Sequence, residues 1–315
     1  MECVGFAILR VELRWEADTM KGLILAPRYG APWTSLAHAV CPHLLPVYDK
    51  PAICYSIATL MQGHIRDMIL VCTPQDTSPL QSFLGTGEHW GLQLVYRELN
   101  DPGDVISALR LATPLLGNNG VAVIQADHLF VGLDFNLLLQ TQPHQHGARA
   151  FSLSGSTPDL STPLTQNEGQ RAFRLDKESS ASDPDASWSI LGFGLFDSQV
   201  VDIAASQGNP TARGQSQWMP LYESYRKQHL LDVTFISKAT HHLLSSTCDA
   251  WLEASQHVKF LQARSRDVYG CLDATSRDMG FIDDKQFASL AERKRTKASA
   301  SALPPIPNPF LPGYA

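Results

Sequence analysis

No apolar stretch in this chain approaches the roughly 20 residues that a bilayer-spanning helix needs. The longest, such as Gly22-Leu23-Ile24-Leu25-Ala26 and Val121 to Ile124, are of strand length. Blocks of like charge are also missing: 31 acidic and 25 basic residues are interspersed, for a net charge of −6. No face is therefore built to neutralise a phosphate backbone, and neither nucleic acid nor membrane is expected as a partner. Cysteine is scarce, with Cys3, Cys41, Cys54, Cys72, Cys248 and Cys271 forming no CxxC pair and no Cys/His spacing that closes around zinc. They are expected to be reduced thiols of a cytoplasmic protein. His144-Gln145-His146 and His241-His242 lack a neighbouring Cys or carboxylate at ligand spacing and are read as no metal site. Residues 1–19 carry Arg10, Glu12, Arg14, Glu16 and Asp18 among their apolar residues, unlike a secretory segment, and are read as an N-terminal extension.

What is present is 44% hydrophobic residues over 315 positions, enough to bury a large core. Met20 to Ala26 reads as a buried strand, Ile53 to Gly63 as a helix, and Asp67 to Thr73 as a continuous apolar strand. Pro79 to Phe83 opens another helix, Leu92 to Tyr96 is a strand, Asp104 to Leu116 a helix ended by Gly117-Asn118-Asn119-Gly120, and Val121 to Ala126 a strand. This alternation predicts an α/β fold: a mostly parallel mixed sheet with helices on both faces. Ligands of such sheets gather at the carboxyl ends of the strands, which makes Ala26–Thr34 and Asp127–Gly132 the expected functional loops. Ser152 to Ser187 is rich in Ser, Thr, Asp, Gln and Pro and reads as surface connections around a short strand near Phe173. Trp188 to Phe196 restores order, and Ala250 to Arg264 is an amphipathic helix on which Trp251, Leu252, Val258 and Leu261 form one stripe. The expected organisation is thus an α/β domain over 20–245, a C-terminal helical region over 246–292 and a disordered Pro-rich tail over 293–315.

Several phrases carry a resemblance: Met20-Lys21-Gly22, Leu44-Leu45-Pro46-Val47-Tyr48-Asp49-Lys50-Pro51, Thr73-Pro74, Trp90-Gly91-Leu92, Asp127 with Phe130 and Gly132, Glu253-Ala254-Ser255 and Gly280-Phe281-Ile282-Asp283. In this order they resemble glucose-1-phosphate thymidylyltransferase, of the sugar-phosphate nucleotidylyltransferase family, whose Rossmann-like fold is then implied. The resemblance also implies where the chemistry should sit. The family's first loop reads G-G-x-G-T-R-L-x-P, its glycines bringing N–H groups to a triphosphate and its Arg stabilising the leaving pyrophosphate. Here the span is Pro27-Arg28-Tyr29-Gly30-Ala31-Pro32-Trp33-Thr34-Ser35, which keeps Gly30 and puts Pro32 at the Arg position. Pro42 stands at the position of the family's second cation, a Lys.

By the same mapping, Asp127 retains the first metal-binding carboxylate, while its partner falls at Leu244. The Gln that reads the base maps to Ser107, the glycine before it to Asp104, and the sugar-binding E-E-K-P onto Glu178-Ser179-Ser180-Ala181. Losing a single charge-stabilising donor commonly costs about 10²–10³ in rate. Coordinated loss therefore predicts a degenerate member, a pseudoenzyme with a binding or regulatory role and no cofactor. The alternatives are an active enzyme using Mg2+ with Arg28, His43 and Asp127 as substitutes, and a nucleotide-sugar sensor. Arg28, Gly30, His43, Ser107, Asp127 and Glu178 are the candidate ligand-binding residues, with Asp127 the one candidate metal ligand. Assembly is expected as a homo-oligomer, a dimer or tetramer, or a hetero-oligomer with an active paralogue.

Overall fold

The computed structural model describes residues 20–28, 40–131, 146–154, 163–165, 187–208, 218–236, 241–265, 268–290 and 292. The expectations for 1–19, Gly30, Pro32, Phe173, Glu178 and the tail over 293–315 lie outside the described residues.

Alternating side chains of the first strand dictate the layering. In β1 (Met20–Ala26), Leu23 and Leu25 are buried on one face and Ile24 and Ala26 on the other. A strand buried on both faces reads as one continuous apolar run, as this one does. β1 pairs in parallel with β4 (Asp67–Cys72) on one side and with β6 (Gly120–Gln125) on the other, and β4 pairs in parallel with β5 (Gln93–Glu98). Beyond β6, β10 (Ser187–Phe196) runs antiparallel and is followed by β8 (Ala148–Ser154) and β11 (Leu231–Phe235). The order β11-β8-β10-β6-β1-β4-β5, with β9 (Pro163–Thr165) paired to β10, makes β10 the one reversed strand of the seven on that path.

Helices cover both faces. α1 (Ala52–Gln62) and α2 (Pro74–Leu84) lie with Ile24, Met68, Leu70 and Ile124 on one side. α3 (Val105–Leu116), α4 (Val200–Ser206) and α5 (Met219–Lys227) lie with Leu23, Leu25, Val71 and Val123 on the other. Each fully buried Leu or Ile here removes apolar surface worth about 1.5–3 kcal/mol.

The phrase Leu44 to Pro51 is explained by architecture. β2 (Pro46–Val47) and β3 (Lys50–Pro51) form a tight hairpin turned through Tyr48, whose φ of 59° is left-handed. The Tyr55 hydroxyl of α1 donates to the Val47 carbonyl at 2.8 Å, fixing the hairpin on the helix.

Three readings need correction. α2 begins at Pro74 rather than Pro79, because Pro suits the first helical position, where its missing N–H would have had no intrahelical partner. His128–Val131 is not a loop but β7, paired antiparallel with β12 (His241–Leu244). The stripe on α6 (Cys248–Arg264) is split: Val258 and Ala254 are buried against Val47, Leu129 and Val131, Trp251 and Leu261 pack on that cluster, and Leu252 points outward at 50% exposure with Phe260 at 53%.

The C-terminal region is fastened to the sheet domain. α7 (Leu272–Asp278) sits beside the 3-10 turn Glu88–Trp90, and Gly91, at φ 71°, passes so close to the Phe281 carbonyl oxygen that a Cβ would stand 2.5 Å from it. Arg66 stacks 4.2 Å over the Phe281 ring.

Candidate functional site

The strand order reverses at β1: the chain leaves it toward β4 and β5, then returns to its other side as β6. The crevice outside the carboxyl ends of such strands is where open α/β sheets bind ligands. In this chain the residues emerging there are Pro27 and Arg28 after β1, Thr73 and Asp76 after β4, and Ala126 and Asp127 after β6.

Arg28 is clasped. Its Nε donates to Asp76 Oδ2 at 2.8 Å, its Nη2 to Asp76 Oδ1 at 2.7 Å, and Nη2 also reaches the Val40 carbonyl at 3.3 Å. Asp76 is fully buried in the first turn of α2, where the Thr73 hydroxyl donates to its Oδ2 at 2.8 Å. Burial pushes the Asp76 carboxyl up, but the hydrogen bonds from Arg28 and Thr73 outweigh it and hold the carboxyl below its ordinary value. The same hydrogen bond to Asp76 raises Arg28. Cys41, buried beside this pair, is pushed up to about 12, first by burial and then by the Asp76 charge, so it is an inert thiol.

Pro42 opens the 3-10 turn Pro42–Leu44, which carries His43 inward to 3% exposure. The His43 Nε2 lies 2.9 Å from the Pro27 carbonyl oxygen, tying this turn to the end of β1. Burial lowers the His43 pKa, and the Asp127 charge opposes that shift. Asp127 itself is 3% exposed. Its carbonyl accepts from Ser245 N–H at 2.9 Å, and the β7–β12 register sets Leu244 opposite His128. The residue that the ladder sets at Asp127 is thus Ser245, not a second carboxylate. Divalent magnesium demands near-octahedral oxygen ligation. Among the described residues no group of three His, Cys, Asp or Glu side chains is placed to hold a metal ion. Among the described residues, the β7–β12 register brings no second carboxylate to Asp127 for a magnesium ion held by two.

Asp104 and Ser107 satisfy each other. Asp104 caps α3, its Oδ1 accepting from Ile106 N–H at 3.1 Å and Ser107 N–H at 3.2 Å, while the Ser107 hydroxyl donates to Oδ2. Both side chains are committed to the helix start.

Sequence reading missed Asp76 and His128, and weighed His242 only as part of a metal pair with His241. Asp76 carries a signal, since Thr73-Pro74-Gln75-Asp76 is a capping-box spacing at a helix start. The histidines carry none, because tertiary pairing joins them: His242 Nε2 lies 2.9 Å from His128 Nδ1, which also accepts from Gly192 N–H at 3.1 Å. Gly192 is required there, since a Cβ would come within 2.4 Å of Gln125 and 2.8 Å of His128. Burial lowers His128 to about 4, and burial followed by the neighbouring His128 puts His242 well below its ordinary value.

Of the sequence-derived candidates, the structure brings Arg28, His43 and Asp127 to one crevice and places Ser107 at the start of α3; Gly30, Pro32 and Glu178 lie outside the described residues.

Comparison with known proteins agrees with this geometry. Residues 21–158 match the family model described as nucleotidyl transferase. The chain is 29% identical over 273 residues to glucose-1-phosphate thymidylyltransferase of Mycolicibacterium smegmatis, spanning 87% of this chain and 94% of that protein. It is 28% identical over 285 residues to the Neisseria gonorrhoeae protein of the same name, spanning 90% and 98%. A Bacillus anthracis structure solved in complex with sucrose superposes with a TM-score of 0.65 at 24% identity, over 85% of this chain and 99% of that one. A UDP-glucose pyrophosphorylase complexed with UDP-glucose superposes at 0.61 and 15% identity, over 78% and 100%. The fold is that of the Rossmann-like nucleotidyltransferases, and the chain, which matches the nucleotidyl transferase family model over residues 21–158, is similar over most of its length to the glucose-1-phosphate thymidylyltransferases.

Proposed function

We propose that this chain is a nucleotidylyltransferase-fold pseudoenzyme, cytoplasmic and non-catalytic, which keeps the scaffold and acts by binding a partner or ligand. The observation that supports it most directly is that the β7–β12 ladder sets Leu244 opposite His128 and Ser245 at Asp127, so neither residue brings a second carboxylate where metal-assisted transfer needs two. Pro42, at the expected position of a cation, has no side-chain donor, and Arg28 is engaged by Asp76. Pyrophosphate release is to be measured with each nucleoside triphosphate, magnesium and glucose 1-phosphate. Turnover within two orders of magnitude of a typical ~10 s⁻¹ would overturn the reading.

A second reading is favoured by the retention of Asp127 at 3% exposure, an expensive place for a carboxylate without a use. In it the chain is an active sugar-1-phosphate nucleotidylyltransferase that converts dTTP and glucose 1-phosphate into dTDP-glucose and pyrophosphate with Mg2+. The same assay separates the two.

The proposed organisation keeps 20–245 as the nucleotidylyltransferase-like domain and 246–292 as a helical region that supports assembly into a dimer or tetramer. The outward Leu252 and Phe260 of α6 are the apolar residues this assembly would cover. Light scattering after size exclusion at tens of micromolar is expected to give an oligomer that Leu252→Lys with Phe260→Lys dissociates. A monomer under those conditions ends this part of the proposal. Recovery of an active paralogue with the chain would point to a hetero-oligomer instead.

A further inference from the structure

The Arg28–Asp76 clasp bridges the carboxyl ends of β1 and β4, at the strand-order reversal where the fold places a ligand. It is held from three directions. Asp76 is fully buried and accepts from Thr73, Arg28 reaches the Val40 carbonyl, and Pro27, next to Arg28, is tied to His43. The Arg28 side chain is 18% exposed, so it lies at the mouth of the crevice rather than in the core. A fork of N–H donors is the natural partner of a phosphate as well as of a carboxylate, and here the carboxylate has it.

We infer that the clasp is an autoinhibitory contact: Asp76 occupies, from within the chain, the guanidinium that would otherwise receive a polyphosphate at the carboxyl end of β1. This deepens the pseudoenzyme reading and rests on its assignment of the crevice as the ligand site. Weak polyphosphate binding then has an internal anion among its causes, beside the cations missing at Pro32 and Pro42. The lock is also reversible in principle, because both partners sit on segments that follow strands and neither is covalently constrained.

Inorganic pyrophosphate is the probe, with affinity measured by calorimetry on the full chain. Asp76→Asn keeps the shape and the Thr73 contact while removing the charge, and is expected to bind pyrophosphate at least tenfold more tightly than the unaltered chain. Arg28→Gln combined with Asp76→Asn is expected to return to the starting affinity. Arg28→Lys supplies a second route that leaves the buried carboxylate in place: lysine keeps the charge but cannot form the fork, so affinity is expected to rise severalfold. Circular dichroism melting confirms that each variant folds. Affinities of Asp76→Asn and Arg28→Lys within twofold of the unaltered chain would overturn the inference, as would an Arg28→Gln/Asp76→Asn variant that binds as tightly as Asp76→Asn. Thymidylyl transfer by the unaltered chain would instead overturn the pseudoenzyme reading and leave these affinity comparisons to decide the clasp separately.

Discussion

The indole Nε1–H of Trp90 donates to Asp273 Oδ1 at 2.8 Å, joining the end of a 3-10 turn in the sheet domain to α7, 183 residues later. The Ser276 hydroxyl donates to the Trp90 carbonyl at 2.5 Å from the same helix. Trp90→Phe keeps most of the buried ring and removes one donor to a carboxylate. It is expected to lower stability by about 1–2 kcal/mol, read as a drop in the urea midpoint with unchanged slope. No change would mean that the hydrogen bond contributes nothing beyond the packing of the ring.

At the start of α3, Asp104 serves the helix. Asp104→Ala should cost about 1 kcal/mol through loss of its cap. Because Asp104 is committed to Ile106 and Ser107, the substitution is not expected to create tight dTTP binding. Low-micromolar dTTP affinity in Asp104→Ala would show that the charge, rather than the loss of the other groups, was the barrier.

Restoring the two cations implied by the resemblance is expected to fail. Pro32→Arg with Pro42→Lys leaves Ser245, not a carboxylate, at Asp127 and leaves Asp76 on Arg28, so no recovery of pyrophosphate release is anticipated. Rescue by that pair alone would show that the loop and the metal corner are less damaged than their geometry implies.

Stability should fall on mild acidification. Burial lowers His128 from 6.5 to about 4, so between those values the unfolded chain binds a proton that the folded chain refuses. Stability is complete above pH 6.5 and declines as pH falls toward 4, by about 1.4 kcal/mol per pH unit for this residue alone. His242, shifted in the same direction, adds to the slope. Urea midpoints at pH 7.5 and 5.5 test this. His128→Asn, whose Oδ1 can replace the acceptor facing Gly192, should flatten the difference, and an equally steep fall in that variant would assign the slope elsewhere.

Much of the α/β frame was legible because its signals are local. Continuous apolar runs give β1, β4 and β6, and helical spacing gives α1, α3 and α6 within a few residues. The site was legible only in part. Pro42 and Leu244 stand out against the family's pattern, but what fills the crevice depends on contacts between distant segments, such as Arg28 with Asp76 and His128 with His242. The split of the α6 stripe was hidden for a similar reason: spacing indicates that Leu252 and Val258 are apolar, and only the path of β2 and β7 decides which one is covered.

The reversed strand β10 has a kinetic consequence. β1, β4, β5 and β6, with α1 to α3 between them, are complete by residue 125, so during synthesis they are available to pair before β8, β10 and β11 exist. β6 then waits for Phe193 to Phe196 to cover its free side, and Ala148 of β8 waits for Leu231 of β11. During synthesis a parallel half-sheet with an open apolar edge at Val121 to Ile124 therefore precedes the finished molecule, and that edge is where a stalled or truncated chain would associate with others.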